Sequence, residues 1–571
     1  MYSQLSLDTS IGISSKDGAV FRRKGLSGGA IAGIVIGCVA FTLLCAAAAY
    51  YMLSQRTATQ TSPSAQIITK GAAAGPGVNF TEDEASTTFQ ITTEAATVGV
   101  GVNPPNDEAC AGRAIAALPA DGLAAAADQP VRKARIPLAT RILKQIEALS
   151  NMYRILFGIC LGFNIAFVVL AATNTLPYAK RQKAAFALGN IMASCMVRNE
   201  VILYGLYWLI VKLFSRWPPL WFRDFLTSFL LHLGGCHSGL AVSSLVWIIY
   251  VLVDLARHSA FTDTGVIVVV SILGALIFLS MAAAFPLLRY FHHNTFEVLH
   301  RFSGWTSLAC LWVFEILACN WDPIAKKYEV AGSHFIHHQD FWFCVVTTYL
   351  IIQPWLFVRK IQVLDVIIPS KKAVIMKFAG AVPPGYLGRI SRKPLKEWHA
   401  FGIISDGVLD GPDKRGVHYF LITPLGDFTR ELASDPPKHV WTRIFRFVGL
   451  PYCVPMFRSG VAIATGSGLG ICLSVFLQWP PDYHLIWIGR DLAATYGSVT
   501  MDLLAHVDPA RLHLYDSLHG GRPDGLALTI DLVRKISAEV VVVTSNPAGT
   551  RHLVSGCRAA GIPAFGPIFD S

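Results

Sequence analysis

The residues Gly466-Ser467-Gly468-Leu469-Gly470 follow an apolar run, Val461 to Thr465, and precede a helical one, Ile471 to Leu477. A strand, a glycine turn and a helix in that order are what phosphate binding needs. Glycines let the backbone approach an anion, and the helix N-terminus supplies free N–H groups and a favourable dipole. A tight structural turn is the plainer reading of a glycine run. Arg490 stands just after the next apolar run, in Trp487-Ile488-Gly489-Arg490. There a guanidinium could pair with the 2′-phosphate that separates NADP from NAD, or simply be a solvated surface arginine.

The elements that would position these groups change character along the chain. Short alternating apolar runs, Ala373 to Phe378, His399 to Ile404 and His418 to Ile422, predict an antiparallel β-barrel or small sheet. From Gly460 onward, apolar strands at Val461–Ala464, Leu485–Ile488, Arg511–Leu514 and Val540–Thr544 alternate with helical stretches, which predicts a parallel α/β domain.

Upstream the chain is far more apolar. Of 571 residues, 53% are hydrophobic and 15% charged, against about 25% charged in soluble domains. The net charge of +11 fits the flanks of membrane spans better than nucleic-acid binding, and no nucleic acid is expected as a partner. The 12 cysteines form no CxxC pair, which excludes a zinc ribbon. Six segments are long enough to span a lipid bilayer: Tyr153 to Ala172, Ala184 to Phe214, Phe225 to Val253, Gly265 to Leu288, Phe296 to Cys319 and Phe341 to Val358. Arg132, Lys133 and Arg135 before them and Arg359 and Lys360 after them put both ends of this bundle in the cytosol. Gly28 to Leu53 predicts one extra helix, on which Gly29, Gly33 and Gly37 make a smooth face suited to a homodimer. Its basic flank, Arg22 to Lys24, conflicts in orientation with a cytosolic C-terminus. The expected organisation is thus a tail (1–27), a single helix (28–53), a flexible linker carrying the sequon Asn79-Phe80-Thr81 (54–150), a six-helix transmembrane domain (151–358), a β-barrel (359–458) and an α/β domain (459–571).

Two further motifs carry a resemblance. Glu397-Trp398-His399-Ala400-Phe401 and Gly426-Asp427-Phe428-Thr429 resemble the flavin-binding module of the NADPH oxidase and ferric reductase superfamily. Gly521-Arg522-Pro523-Asp524 and the GSGLG turn fall in the order of its NADPH-binding lobe. Within it the chain is similar to fungal transmembrane flavoproteins of the TmpA type, whose reductase-like unit also closes synthetase-like proteins; the ending Gly561 to Ser571 looks like theirs. The resemblance implies a multi-pass α-helical ferric-reductase-like core followed by a ferredoxin-NADP reductase-like module. It implies FAD held by Glu397, Trp398, His399, Phe401, Gly426, Asp427 and Thr429, with Phe569 near the isoalloxazine. It implies NADPH at Gly466, Ser467, Gly468, Leu469, Gly470, Arg490 and Arg522. Three departures stand out: Ala400 and Gly402 replace a Pro and a Thr at the flavin strand, and Thr544-Ser545-Asn546 replaces a Cys-Gly beside the nicotinamide.

The superfamily's oxidases stack two haems between paired histidines about 13 residues apart on each of two helices, a rise of ~20 Å. Here the third segment offers His232 and His237, and the fifth offers His300. Two stacked haems are excluded on that count. One haem b, its iron held by His300 with His232 or His237, is one reading; interfacial histidines are the other. Arg198, Asn199 and Glu200 sit in an apolar stretch, where pairing of Glu200 with Arg198 or across helices is expected. His334, His337 and His338 with Asp340 crowd one loop and could collect a metal ion. The expected function is an integral-membrane flavoprotein oxidoreductase carrying electrons from NADPH through FAD, optionally through that haem, to a small-molecule acceptor. The rivals are a non-catalytic membrane sensor or scaffold with a degenerate reductase domain, and a ferric reductase.

Overall fold

The computed structural model describes residues 152–329, 332–394, 397–408, 416–445, 447–478 and 482–567. The expected helix 28–53 with its Gly29, Gly33 and Gly37 face, the linker with Asn79, and Phe569 lie outside the described residues.

The N-terminal part is helical: α1 (Met152–Ala172), α2 (Lys183–Met196), α3 (Glu200–Phe214), α4 (Leu220–Leu231), α5 (Gly234–Arg257), α6 (Thr264–Ala283), α7 (His293–Asn320) and α8 (Gln339–Leu356). Among the described residues four helices are long and apolar enough to cross a membrane: α1, α5, α6 and α7. This differs from the six expected segments: 184–214 is broken into two shorter helices, 225–253 keeps only its second part as a spanning helix, and α8 is unbroken but not apolar enough. The segment 184–214 is interrupted at Asn199, whose side-chain carbonyl accepts from the N–H groups of Val201 (3.1 Å) and Ile202 (3.3 Å) and starts α3 afresh. Its amide donates to Gln353 Oε1 at 3.0 Å, tying the break to α8. The segment 225–253 is interrupted at His232 and Leu233, between α4 and α5.

The first bundle packs α1, α2, α5, α6 and α7 around the fully buried Trp247. Several of its polar groups pair internally. Asn190 and the Trp247 indole both donate to Asn164 Oδ1, at 2.8 and 2.9 Å, and Lys183 pairs with Asp254 at 2.9 Å.

The C-terminal part begins with antiparallel strands β1 (Val358–Gln362), β2 (Asp365–Ser370), β3 (Ala373–Ala379), β4 (Tyr386–Ser391), β5 (His399–Gly402), β6 (Val417–Ile422), β7 (His439–Arg443) and β8 (Phe447–Val448). They form two sheets, β8-β4-β7-β1 with β5 on β4, and β2-β3-β6. Ile404 exchanges backbone bonds with Tyr419, joining β5's continuation to β6 and closing the strands towards a barrel. The α/β lobe follows with β9 (Gly460–Thr465), β10 (Tyr483–Gly489), β11 (Leu512–Asp516), β12 (Val540–Thr544) and β13 (Ala564–Phe565), parallel in the order β11-β10-β9-β12-β13. The near-continuous apolar reading of β9 and β12 reflects a parallel sheet covered on both faces.

Helices α3 and α4 belong to the core of these lobes. Tyr207, Ile210, Leu226 and Leu230 share one buried cluster with Val448, Met456, Phe457, Ala462 and Trp487. Two charged clamps hold the join. Glu200, at the start of α3, is met at 2.6 Å by both Arg389 of β4 and Arg443 of β7, strand partners in place of the expected Arg198 or a group on another helix. Arg223 of α4, 3% exposed, takes both oxygens of Glu539 at 2.7 and 2.9 Å and also donates to the carbonyls of Pro218 and Met456. Planar two-point pairing of this kind fixes orientation as well as charge.

Candidate functional site

The sheet order reverses between β9 and β12, so the chain leaves these neighbouring strands in opposite directions and opens a crevice at their carboxyl ends. A cavity of about 300 Å³ lies there, lined by Thr465, Ile488, Arg522, Asp524, Ser545 and His552 among others. Thr465 and Ser545, at the ends of the two strands, hydrogen-bond through their hydroxyls at 2.6 Å. Asp524 caps α12 (Gly525–Ile536) by accepting from Leu526 and Ala527 N–H, and Asn546 caps α13 (Pro547–Ala559) by accepting from Gly549 N–H at 2.8 Å. Both helix N-termini therefore border the cavity, where their dipoles favour an anion.

The glycine turn sits between β9 and α10 (Leu469–Gln478), as the sequence predicts. Gly466 takes φ +59°, open to glycine at little cost, and its carbonyl accepts from Trp487 Nε1 at 2.9 Å. A Cβ on Gly468 would stand 2.2 Å from the Thr544 carbonyl oxygen, so only glycine lets the turn pass β12. The far side of the turn faces the barrel: Ser467 bonds Thr423 through their hydroxyls. The cavity lining stops at Thr465, one residue before the turn. Arg522 lines it, whereas Arg490 is exposed at the end of β10 and does not.

Asp516, ending β11, accepts from the N–H groups of Asp491 (2.8 Å), Leu492 (2.9 Å) and Leu518 (2.9 Å) and so fixes the turn behind Arg490. What desolvation it suffers would raise its pKa, but those three bonds outweigh it and hold the carboxyl below its usual range. A depressed folded pKa stabilises above the unfolded value, and the benefit is lost as pH falls through the folded value. Acid unfolding should therefore loosen the start of α11 (Leu492–Ala505). Asp516→Asn is expected to flatten the acid limb of a stability profile below about pH 4, read by denaturant midpoints.

On the barrel, the His399 ring stacks on Phe428, with centroids 4.0 Å apart and 18° between planes. Its Nε2 is buried without a hydrogen-bond partner. Desolvation lowers the His399 pKa despite the nearby Glu397 carboxylate, so the ring is neutral at pH 7. Trp398 is buried, donates to the Pro394 carbonyl at 3.1 Å and carries the Arg443 guanidinium 5.2 Å from its ring centre. Phe401 is half-buried, 6.0 Å from Phe420. At the start of α9 (Asp427–Ser434) the Thr429 hydroxyl oxygen accepts from the Gly426 N–H at 3.1 Å, and Asp427 pairs with Arg430 on the surface. Gly402, where a Thr is usual in the resembled flavin strand, is required by packing: a Cβ there would lie 2.3 Å from the Gly470 carbonyl oxygen of α10.

Of the three candidate haem histidines, the structure brings two together. His237 of α5 and His300 of α7 lie 6.4 Å apart between ring centroids, their Nδ1 atoms bonded to Ser194 and Ser280. His232 ends a different helix, with its Nδ1 on the Ser228 carbonyl at 2.7 Å. Of the loop cluster, His337 is exposed, while His338 and Asp340 are half-buried.

Sequence reasoning missed Thr465, Asp516 and His552. The cap pattern Asp524-Gly525 and Asn546-Pro547 was the available signal that two helix starts converge on this edge.

Residues 450–571 match the family model "Adenylate-forming reductase 03009, C-terminal domain". Two relatives from Coprinopsis cinerea carry the same description. Adenylate-forming reductase 06235 is 31% identical over 443 residues, 76% of this chain and 41% of its own length. Adenylate-forming reductase 03009 is 30% identical over 426 residues, 74% of this chain and 40% of its own length. The chain is similar to fungal adenylate-forming reductases. It spans about two fifths of the length of these curated relatives. Among solved structures, a ferredoxin NADP+ reductase from Neisseria gonorrhoeae with bound FAD and NADP is 13% identical, with a TM-score of 0.29, over 37% of this chain and 99% of that one. The ferredoxin reductase in carbazole 1,9a-dioxygenase is 14% identical, also at 0.29, over 37% and 70%. TM-scores this low do not establish a shared fold.

These relatives correct two expectations. The family they point to is that of adenylate-forming reductases, in place of TmpA-type flavoproteins and the ferric reductase superfamily. They likewise overturn the expected function of an integral-membrane electron carrier with a haem on His232, His237 or His300.

Proposed function

We propose that the chain is an oxidoreductase whose barrel and α/β lobe bind FAD and NADPH. The observation that carries this reading is the cavity at the β9/β12 reversal, where two capped helix starts and Arg522 surround the paired hydroxyls of Thr465 and Ser545. The reductase description shared by the relatives supports it.

The residues present fit both groups. On the α/β lobe, Gly466, Ser467, Gly468, Leu469 and Gly470 would bring backbone N–H groups to the nucleotide's phosphates. Arg522, and Arg490 beyond the cavity, would meet its 2′-phosphate. On the barrel, the Nε2 of His399 offers a hydrogen bond that none of the described residues meets. Glu397, Trp398, Phe401, Gly426, Asp427 and Thr429 surround that strand and the start of α9, and would hold the flavin. When bound, FAD supplies a ring that accepts a hydride and releases electrons singly. The protein aligns the two groups and excludes water, and no side chain need act as acid or base. A small-molecule acceptor is the remaining partner. Association with a lipid bilayer rests on the four apolar helices, whose exposed Phe163 and Phe278 would face lipid, and a cytosolic side for these lobes rests on the basic Arg359 and Lys360 that follow α8.

The test uses the purified full chain under anaerobic conditions. It should carry flavin absorbance that NADPH bleaches; a colourless protein, or a flavin that NADPH leaves oxidised, overturns the proposal. Arg522→Ala should weaken NADPH more than NADH, by roughly ten- to a hundredfold in KM, as expected for loss of a charge-assisted bond of ~1.5–3 kcal/mol.

A further inference from the structure

The end of α7 and the start of α8 bring together a set of side chains that the reductase reading does not use. Glu315 and Cys319 are one turn apart on α7 and share a face. Asp340 and Cys344 repeat that spacing on α8, and His338 precedes the helix. Glu315 is 1% exposed and Cys344 fully buried. The Cys319 thiol donates to Glu315 Oε1 at 3.1 Å. One donor atom each from Glu315, Cys319 and His338 lie within 4.8 Å of one another. Asp340, close enough to Glu315 and Cys344 to interact with both electrostatically, has its Oδ1 buried with no hydrogen-bond partner among the described residues.

We propose that Glu315, Cys319, His338 and Asp340 form a structural site for a zinc-class divalent cation. A buried Glu315 carboxylate that interacts with a second carboxylate, whose own Oδ1 is buried, is costly unless a cation compensates both. The donor chemistry narrows the metal. A thiol and an imidazole disfavour calcium and magnesium, which take oxygen ligands, and suit zinc or a neighbour in its series. Zinc bonds of ~2.0–2.3 Å put tetrahedral ligands about 3.5 Å apart, so side-chain shifts of about an ångström complete the shell. Binding would release the Cys319 proton to solvent. The site shares no residue with the nucleotide crevice, and it is separate from the histidine pair of the bundle: Glu315 lies fifteen residues beyond His300 on α7, about 22 Å along the helix. Its effect is to pin the loop between α7 and α8 to the bundle. The sequence pointed to this loop through His334, His337 and His338 with Asp340. Of these the proposed site takes His338 and Asp340, completed by Glu315 and Cys319 of α7, which local spacing did not indicate.

The experiment titrates the full chain, stripped with a chelator, with cobalt(II) and then zinc(II). One equivalent of cobalt should give a thiolate charge-transfer band and intense tetrahedral d–d absorption, both displaced by one equivalent of zinc. Cys319→Ser should abolish the charge-transfer band, and Glu315→Gln or His338→Gln should weaken zinc at least tenfold, while Cys160→Ser changes neither. In the unsubstituted chain, zinc should slow alkylation of Cys319 at least tenfold, which keeps the test decisive if a variant fails to fold. Absence of the tetrahedral signal, its survival in both Cys319→Ser and His338→Gln, or equal alkylation with and without zinc overturns the proposal.

Discussion

Glu539→Ala is expected to destabilise the folded chain by about 3–5 kcal/mol, the cost of leaving a buried charge without its partner. Arg223 is 3% exposed, so its guanidinium cannot turn to water when the carboxylate is removed. The two carbonyls it also contacts, Pro218 and Met456, satisfy hydrogen bonds but carry no full charge. Arg458 loses its backbone N–H partner, Glu539 Oε2 at 2.7 Å, in the same substitution. Removing both charges with similar volume, as in Arg223→Met with Glu539→Leu, should recover most of the loss. Denaturant midpoints of the single and the double variant check this. Equal destabilisation in the single and double variants would show that packing, and not charge, dominates the join.

Gly402→Thr, which restores the side chain usual in flavin strands, should prevent stable folding. Overpacking ordinarily costs ~1–3 kcal/mol because neighbouring side chains can rotate aside. Here the obstacle is backbone: the added Cβ would stand 2.3 Å from Gly470 O and 2.5 Å from Ile471 Cα. Relief requires α10 to withdraw from the barrel, which would also displace Ser467 from Thr423 and move the glycine turn. A loss well beyond 3 kcal/mol, or failure to accumulate folded protein, is therefore expected. Thermal unfolding of Gly402→Ala, the smallest version, should already fall by several degrees. An unchanged midpoint would mean that the barrel and α10 are not locked together.

The strand, turn and helix at 460–478 were legible because glycine chemistry and a change of hydrophobic period both fall within one short window. The alternation of β3, β5 and β6 was legible for the same local reason. The breaks in the helical part were not, since hydropathy runs on across Asn199 and His232 while the forces that interrupt it come from afar. Asn199 answers to Gln353 on another helix. Glu200 was singled out as a charge needing a partner, but its partners, Arg389 and Arg443, stand on barrel strands that no local pattern links to α3. Arg223 and Glu539 are 316 positions apart. In the site, Arg522 and the glycine turn were readable as motifs, whereas Thr465 and Ser545 became partners only through the sheet order.

Because α3 and α4 lie in the core that also holds Met456, Phe457 and Trp487, the C-terminal half is not a portable cassette. A fragment cut at Val358, where the strands begin, would leave behind the lid over its own greasy underside and both acidic-basic latches. Dissection or transplantation should carry the chain from Asn199 onward. Gene fusions that shuffle this unit would have to inherit the upstream helices with it.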